Sequence, residues 1–305
     1  MSQRSIEDLI KWPKGFDPAK AAKPAGKTHG FETATYAQNE DQIRARMLVA
    51  VAQTLPECPD RSQMEKLAAD LDGAAVPATC ASSRFMRQRR RAVIGHLWEA
   101  MQRVKTTPWG TVTVMVRGWQ IAHDDLHLID PRRLLEQFRA DLYRCGLSKA
   151  DGCAFFNLHG EYNSATGMFD LHIHGVYSGG IAPVLQRLSK RPKYEPAVIE
   201  LDGARKVVNR VKVSKRAMQG MPYPITYVLQ SWWPMRYTFV AGGKVKRTGR
   251  KRIPHFPHAK WLLWMDRWTV SDLTLMVRMR VTKQGLVQAV RRTPMSRGMA
   301  ERAGK

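Results

Sequence analysis

The chain has 305 residues, with 50 Lys plus Arg against 26 Asp plus Glu, a formal net charge of +24 and a pI near 10.3. That balance is self-repelling unless a polyanion offsets it, so nucleic acid is the leading partner, and the length suits one large core or two modest ones. No run approaches the roughly twenty apolar residues of a membrane span, and Met1 to Gly15 carries no apolar signal segment, which argues against a membrane protein and for a cytoplasmic one.

Residues 1–38 are rich in Pro, Gly, Lys and Ala without a period, and read as a flexible arm. Within it, Ala21-Ala-Lys-Pro-Ala-Gly-Lys27-Thr28 resembles a loosened P-loop. A phosphate loop needs a buried strand before it and a helix after it, and Pro13-Lys14-Gly15 and His29-Gly30 supply neither. It is read as a false match.

Residues 39–108 form a helical, basic accessory region. Asn39 caps a helix through about Thr54, and Ser62-Gln-Met-Glu65 is a capping box opening a second that stops at Asp72-Gly73. A third, from about Arg84, places Phe85, Val93, Leu97, Met101 and Val104 on one stripe. Its other face carries Arg84, Arg87, Arg89, Arg90 and Arg91. Such a run is ordinarily a solvated face, but no acid interrupts this one, and phosphate contact is the sharper reading. Cys58, Cys80, Cys145 and Cys153 include no C-x-x-C pair; reduced structural thiols are the default, with a Cys58/Cys80/His96 metal set as the alternative.

The pattern changes to strand at Trp109. Thr111–Val116 is short, apolar and β-branched, and Asp130-Pro131 then starts a helix with stripe Leu134, Leu135, Phe138 and Leu142, ended by Gly146. Strands at Cys153–Tyr162 and Met168–Ser178 make a hairpin, followed by a helix near Pro183–Lys190 and strand-like residues through Val207–Val213. The order β-α-β-β-α-β predicts an α+β domain at 109–235, an RRM-like or ferredoxin-like antiparallel sheet with helices on one face. Residues 236–305 read as a basic C-terminal extension. It has a hairpin around Ala241-Gly242-Gly243 and a helix from about Lys260 to Met276, whose Trp261, Leu263, Trp264 and Trp268 are read as core. Lys244, Lys246, Arg247, Arg250, Lys251 and Arg252 crowd the hairpin region and are candidate DNA contacts.

The chemistry concentrates in Glu161-Tyr-Asn-Ser-Ala-Thr-Gly-Met-Phe-Asp-Leu-His172-Ile-His174. On a strand, residues i and i+2 share a face, so His172 and His174 point the same way. A turn centred on Ala165-Thr166 sets Glu161 opposite Asp170 and His159 opposite His172. Glu161, His172 and His174 are then candidate ligands to one divalent ion, with His159 a fourth ligand or a supporting group. The bland alternative for any isolated His pair is a half-buried sheet position bonded to backbone. A second element, Tyr223-Pro-Ile-Thr-Tyr227-Val-Leu-Gln230-Ser231, carries two tyrosines at a helix start.

An apolar strand, a carboxylate-turn-His-x-His hairpin and a later tyrosine resemble the HUH endonucleases, in particular the replication-initiator (Rep) proteins of rolling-circle plasmids and phages. Thr111–Val116, Leu171–Val176 and Thr226–Ser231 stand at the three motif positions, and the resemblance covers about residues 109–235. It implies a cytoplasmic, site-specific nicking enzyme with an RRM-like fold and a Mg²⁺ or Mn²⁺ cofactor. Tyr227 would be the nucleophile, Tyr223 a less favoured one. Origin DNA, single- or double-stranded, would be the partner, with host helicase and polymerase acting in trans. The third motif departs from the family: Gln230 and Ser231 stand where it has Lys and Tyr, and Lys215 and Arg236 are the candidates to replace that cation. The histidine-triad and cupin alternatives need a third His at Val176 or a Glu soon after His174, which the chain lacks. A non-enzymatic nucleic-acid-binding regulator with an RRM-like fold is the reading from another class; it predicts exposed aromatic residues on the central strands.

Overall fold

The computed structural model describes residues 4–21, 30–54, 57, 59–103, 108–214 and 223–289. Three helices come first: α1 (Ala34–Thr54), α2 (Arg61–Asp72) and α3 (Ser83–Arg103). Then come β1 (Trp109–Ala122), α4 (Pro131–Arg144), β2 (Ala154–Asn163), β3 (Met168–Ser178) and α5 (Ile181–Leu188). Short strands β4 (Ala197–Leu201), β5 (Ala204–Val208), β6 (Val211–Val213), β7 (Met235–Arg236), β8 (Thr238–Ala241) and β9 (Lys244–Arg247) lead to α6 (His255–Asp266). The described chain closes with β10 (Thr274–Val277), β11 (Met279–Thr282) and β12 (Gly285–Gln288). The protein is α+β. Among the described residues no helix is long and apolar enough to cross a membrane.

The main sheet has six strands in the order β10-β2-β3-β1-β6, with β7 added in parallel along β2. The other pairs are antiparallel, so the sheet is mixed. Local chemistry starts and stops these elements as expected. The Asp130 side chain accepts from Arg132 N at 2.9 Å with Pro131 at the first helical position, and Gly146, at φ 89°, ends the α4 region in the left-handed conformation. In the β2–β3 turn, Asn163 Oδ1 accepts from Ala165 N at 3.1 Å, and Gly167 takes φ 69°. Fully buried Phe138 of α4 meets Phe156 of β2 edge-on at 5.1 Å between ring centroids, which packs α4 on the face that even-numbered β2 residues share. The odd-numbered face of β2, with His159 and Glu161, is the opposite one.

Three expectations change. The arm is not loose over its described part: Ile6, Leu9, Phe16 and Phe31 are all buried in the core. Four well-spaced apolar anchors suffice to seat a segment whose composition is otherwise that of a linker. The matched P-loop residues after Ala21 lie outside the described residues. The predicted Lys260–Met276 helix is α6, which starts at His255 and ends at Asp266; Met276 instead lies in β10, paired with Phe155 of β2. The sheet therefore recruits a strand from beyond residue 235. Finally, the Ser62–Glu65 capping box does not form: α2 begins at Arg61, and its N-cap Asp60 makes no side-chain cap bond but accepts from Lys260 Nζ at 2.7 Å.

Candidate active site

The β2–β3 register pairs Glu161 with Asp170, His159 with His172 and Asn157 with His174, as the turn position predicts. With a period of two, these six residues share one face. The third strand contributes Thr113 opposite His174, its Oγ1 3.1 Å from His174 Nδ1. His172 Nδ1 lies 3.0 Å from the carbonyl oxygen of Asp170, which fixes that nitrogen as the proton-bearing donor and turns Nε2 inward as an acceptor. The two inward nitrogens, His172 Nε2 and His174 Nε2, are 3.1 Å apart. His159 lies across from them, its ring centroid 5.3 Å from that of His172 and 5.2 Å from that of His174.

The three imidazoles form a metal-sized group, each offering a nitrogen within 4.8 Å of the others. All three are buried, and neither ring nitrogen of His159 has a hydrogen-bond partner. Orphaned buried nitrogens are costly, so the donor set fits a divalent ion. Burial, reinforced by the neighbouring His174 and His172, drives the His159 pKa well below the ordinary imidazole range; burial also lowers that of His172. Neutral imidazole is the form that ligates.

Sequence spacing ranks Glu161 ahead of His159 as a ligand, and the structure reverses the two. The Glu161 carboxylate accepts from Arg247 Nη2 at 2.6 Å and pairs with Arg236 Nε at 3.5 Å, and it lies outside the three-His group. Burial pushes its pKa up, but the charges of His172, Arg247 and Arg236 outweigh that and leave it below the usual carboxylate value. One carboxylate oxygen takes the Arg247 hydrogen bond and the other faces Arg236 in a looser ion pair, so Glu161 supports the site from its rim. Arg236, a candidate for the missing motif cation, is spent on this carboxylate; Lys215 lies outside the described residues.

Tyr227 ends a short 3₁₀ turn, Tyr223–Tyr227, and Ile225, Val228 and Leu229 around it are buried. These apolar neighbours press the turn against the sheet and bring the Tyr227 ring to 4.5 Å from the His174 ring, centroid to centroid. The side chain of Tyr223 lies outside the described residues. Over the Tyr227 ring, 5.1 Å from its centroid, sits the guanidinium carbon of Arg250. Arg250 Nη1 also approaches Gln230 Oε1 at 3.5 Å. A cation is thus present beside the tyrosine, delivered from twenty-odd residues downstream rather than from position 230.

The two arginine-rich segments part company. In α3, Arg84 pairs with Asp41 and donates to Leu71 O; Arg87 donates to Glu32 O, and Arg89 to Glu7 O. Arg90, 2 % exposed, binds Glu32 together with the carbonyl oxygens of Leu229 and Thr226, and Arg91 lies over the rings of Trp12 and Phe31. Within the fold these five engage acids, carbonyls and rings of the chain itself. The acids and carbonyls that engage them are distant in sequence, so the local composition does not reveal them. In the second segment Lys244 and Lys246 are exposed. Arg247 and Arg250 belong to the site, Arg252 clasps Glu40 at 2.8 and 2.6 Å, and Lys251 lies over the Tyr237 ring. Cys80 is buried, with its pKa raised by burial; Cys58, which the alternative Cys58/Cys80/His96 metal set needs, lies outside the described residues.

His159 is a fuller member of the site than its sequence context suggests, although the hairpin register already sets it opposite His172. Arg250 reads locally as a surface contact, and no local signal reveals that it folds back over Tyr227. Comparison with family models, curated proteins and solved structures finds no match.

Proposed function

We propose that this chain is a site-specific DNA endonuclease and strand transferase that initiates rolling-circle replication, as the resemblance to the Rep branch of the HUH endonucleases implies. One observation carries the reading: Tyr227, fifty-odd residues from the His pair in sequence, is held against the His159/His172/His174 centre with a guanidinium over its ring. The β-α-β-β-α-β run of β1, α4, β2, β3, α5 and β6, with its strand order, supports the RRM-like reading of the sheet.

His159, His172 and His174 would hold Mg²⁺ or Mn²⁺, which when bound supplies Lewis-acid polarisation of a phosphodiester. The chain's own residues do the rest. Tyr227 Oη attacks the phosphorus, forming a P–O bond and losing the phenolic proton, while the bond to the 3′ oxygen breaks and that oxygen leaves as a 3′-OH. The product is a 5′-phosphotyrosyl link and a free primer end for a host polymerase, with a host helicase opening the duplex. An ordinary tyrosine pKa is about 10, so the nucleophile needs positive neighbours. Arg250 answers this need from its place over the Tyr227 ring, in the role the absent lysine at position 230 leaves open. Because a guanidinium stays protonated, it stabilises the phenolate without itself serving as a base.

Incubation with single-stranded DNA and Mn²⁺ is expected to give a covalent protein–DNA adduct that peptide mapping places on Tyr227. Tyr227→Phe should keep DNA affinity and form none. Joint replacement of His172 and His174 by Ala should remove cleavage and spare binding. Full nicking in EDTA, or mapping of the adduct to Tyr223, would overturn the assignment. DNA binding with no adduct under any metal would leave the non-enzymatic regulator.

A further inference from the structure

Beside the site lies a cavity of about 200 Å³ that the three histidines and Tyr227 do not line. Its walls come from α1, the 231–233 segment and residues 250–253, with His258 of α6 also lining it. Two features mark it as a ligand site. First, four cations line it, Arg44, Arg250, Lys251 and Arg252, against the single acid Glu40. Glu40 is already engaged by Arg44 at 3.1 Å and by Arg252 at 2.6 Å, which holds its pKa down at about 2 despite burial. The excess positive charge is uncompensated within the walls, and a half-enclosed space focuses its field. Second, buried donors or acceptors along it lack partners. His258 is 4 % exposed with an unsatisfied Nδ1, and Arg250 Nε is unsatisfied as well. Aromatic surface completes the lining: Trp232, partly buried with Arg250 6.0 Å from its ring centroid, and Tyr36, 45 % exposed at the mouth.

An anion with a flat aromatic part suits such walls: the cations take phosphate, the rings stack a base, and inner polar atoms meet its edge. We infer that this cavity binds one nucleotide of the single-stranded DNA substrate, adjoining the scissile phosphodiester. The adjacency comes from Arg250, which lines the cavity and also reaches Tyr227, so a strand whose phosphate lies at the tyrosine has its neighbouring nucleotide at the cavity mouth. That placement rests on the nicking reading; the nucleotide site itself does not.

The test uses the full chain carrying Tyr227→Phe, so that binding is read without chemistry. An oligothymidylate of about twelve nucleotides with 5-bromouracil in place of thymine is bound, irradiated and mapped by mass spectrometry. Crosslinks are expected on Trp232 or Tyr36. Trp232→Ala and, separately, the exposed Tyr36→Ala should each weaken binding about tenfold, the latter with an unchanged melting temperature. Thymidine monophosphate should compete at far lower concentration than inorganic phosphate. Crosslinks confined to other residues would overturn the inference. So would unchanged affinity in Tyr36→Ala together with equal competition by phosphate, which would mark an anion site with no base recognition. If the wild-type chain forms an adduct while these residues take no crosslink, the nucleotide site falls and the nicking reading stands. Crosslinks without any adduct leave the nucleotide site standing and remove the nicking reading.

Discussion

Two segments of this protein look alike in sequence and behave differently in the fold. Residues 84–91 and 244–252 each gather five or six cations with no acid between them. In α3 the arginines turn inward and are consumed by Asp41, Glu32, Glu7 and backbone carbonyls; in the segment around β9 two lysines stay in solvent while Arg247 and Arg250 reach the candidate active site. The difference follows from what each segment meets. The α3 cations face the N-terminal segment and the turn before Ser231, both of which offer carbonyl oxygens, whereas Arg247 and Arg250 after β8 reach the histidine-bearing face of β2 and β3. A run of one charge therefore reports a need for anions or acceptors without saying whether the protein or a ligand provides them.

The largest effect that could break this contrast is at Arg90. Arg90→Ala leaves the buried Glu32 without its cationic partner and strips two carbonyls, and should cost about 3–5 kcal/mol in denaturant unfolding. An unchanged midpoint with weakened DNA binding would return α3 to the phosphate-contact role.

On the other side, Arg250→Ala should slow adduct formation about 10²–10³-fold while its unfolding transition stays close to wild type. A lysine at 250 should recover part of that rate. Loss of stability comparable to Arg90→Ala would instead make Arg250 another internal tie.

A smaller effect concerns acid. His258, whose pKa burial and then the charges of Arg44, Arg252 and His255 lower to about 3 against a small upward pull from Glu40, is buried neutral. Its folded pKa lies below the unfolded value, so its contribution is complete above about pH 6.5 and declines as pH falls toward 3. Glu40, at about 2, adds a loss that begins as pH falls through the ordinary glutamate value and is complete below about 2. His258→Gln should flatten the upper part of this decline in a pH series of melting temperatures; an identical slope would show that His258 is not the group titrating.

The smallest effect is at the exposed lysines. Replacing Lys244 and Lys246 with Ala should leave folding alone and lower the slope of log affinity against log salt by about 0.7 per lost contact to single-stranded DNA. No change would mark β9 as solvated surface only.

Where the sequence is legible, one rule acts over a few residues. The period of two and the Asn163–Gly167 turn set the β2–β3 register, hence the shared face of His159, His172 and His174. Asp130-Pro131 marks the start of α4. What stays hidden depends on distance. Leu273–Val277 is a short apolar run that periodicity cannot separate from a helix, and only the free edge of β2 makes it a strand. The partners of Arg90 lie about sixty residues before and well over a hundred after it, and Arg250 finds Tyr227 through tertiary packing alone. The site's histidines are readable and its arginines are not, since a strand fixes direction for its own side chains while a long flexible cation goes where the fold leaves an acceptor.

The N-terminal segment fastens more than itself. Gly30 N donates to Thr226 Oγ1 at 2.7 Å, Glu32 Oε1 accepts from Ser231 Oγ at 2.7 Å, and Arg90 joins Glu32 to the carbonyls of Thr226 and Leu229. Residues 30–32 are thus a buckle closed over the loop that presents Tyr227, even though nearly two hundred positions separate them along the chain. An aminopeptidase, a tag or a cut just ahead of α1 would be working on the tyrosine loop from behind, and the shape of that loop is settled only once both ends of the buckle have been synthesised.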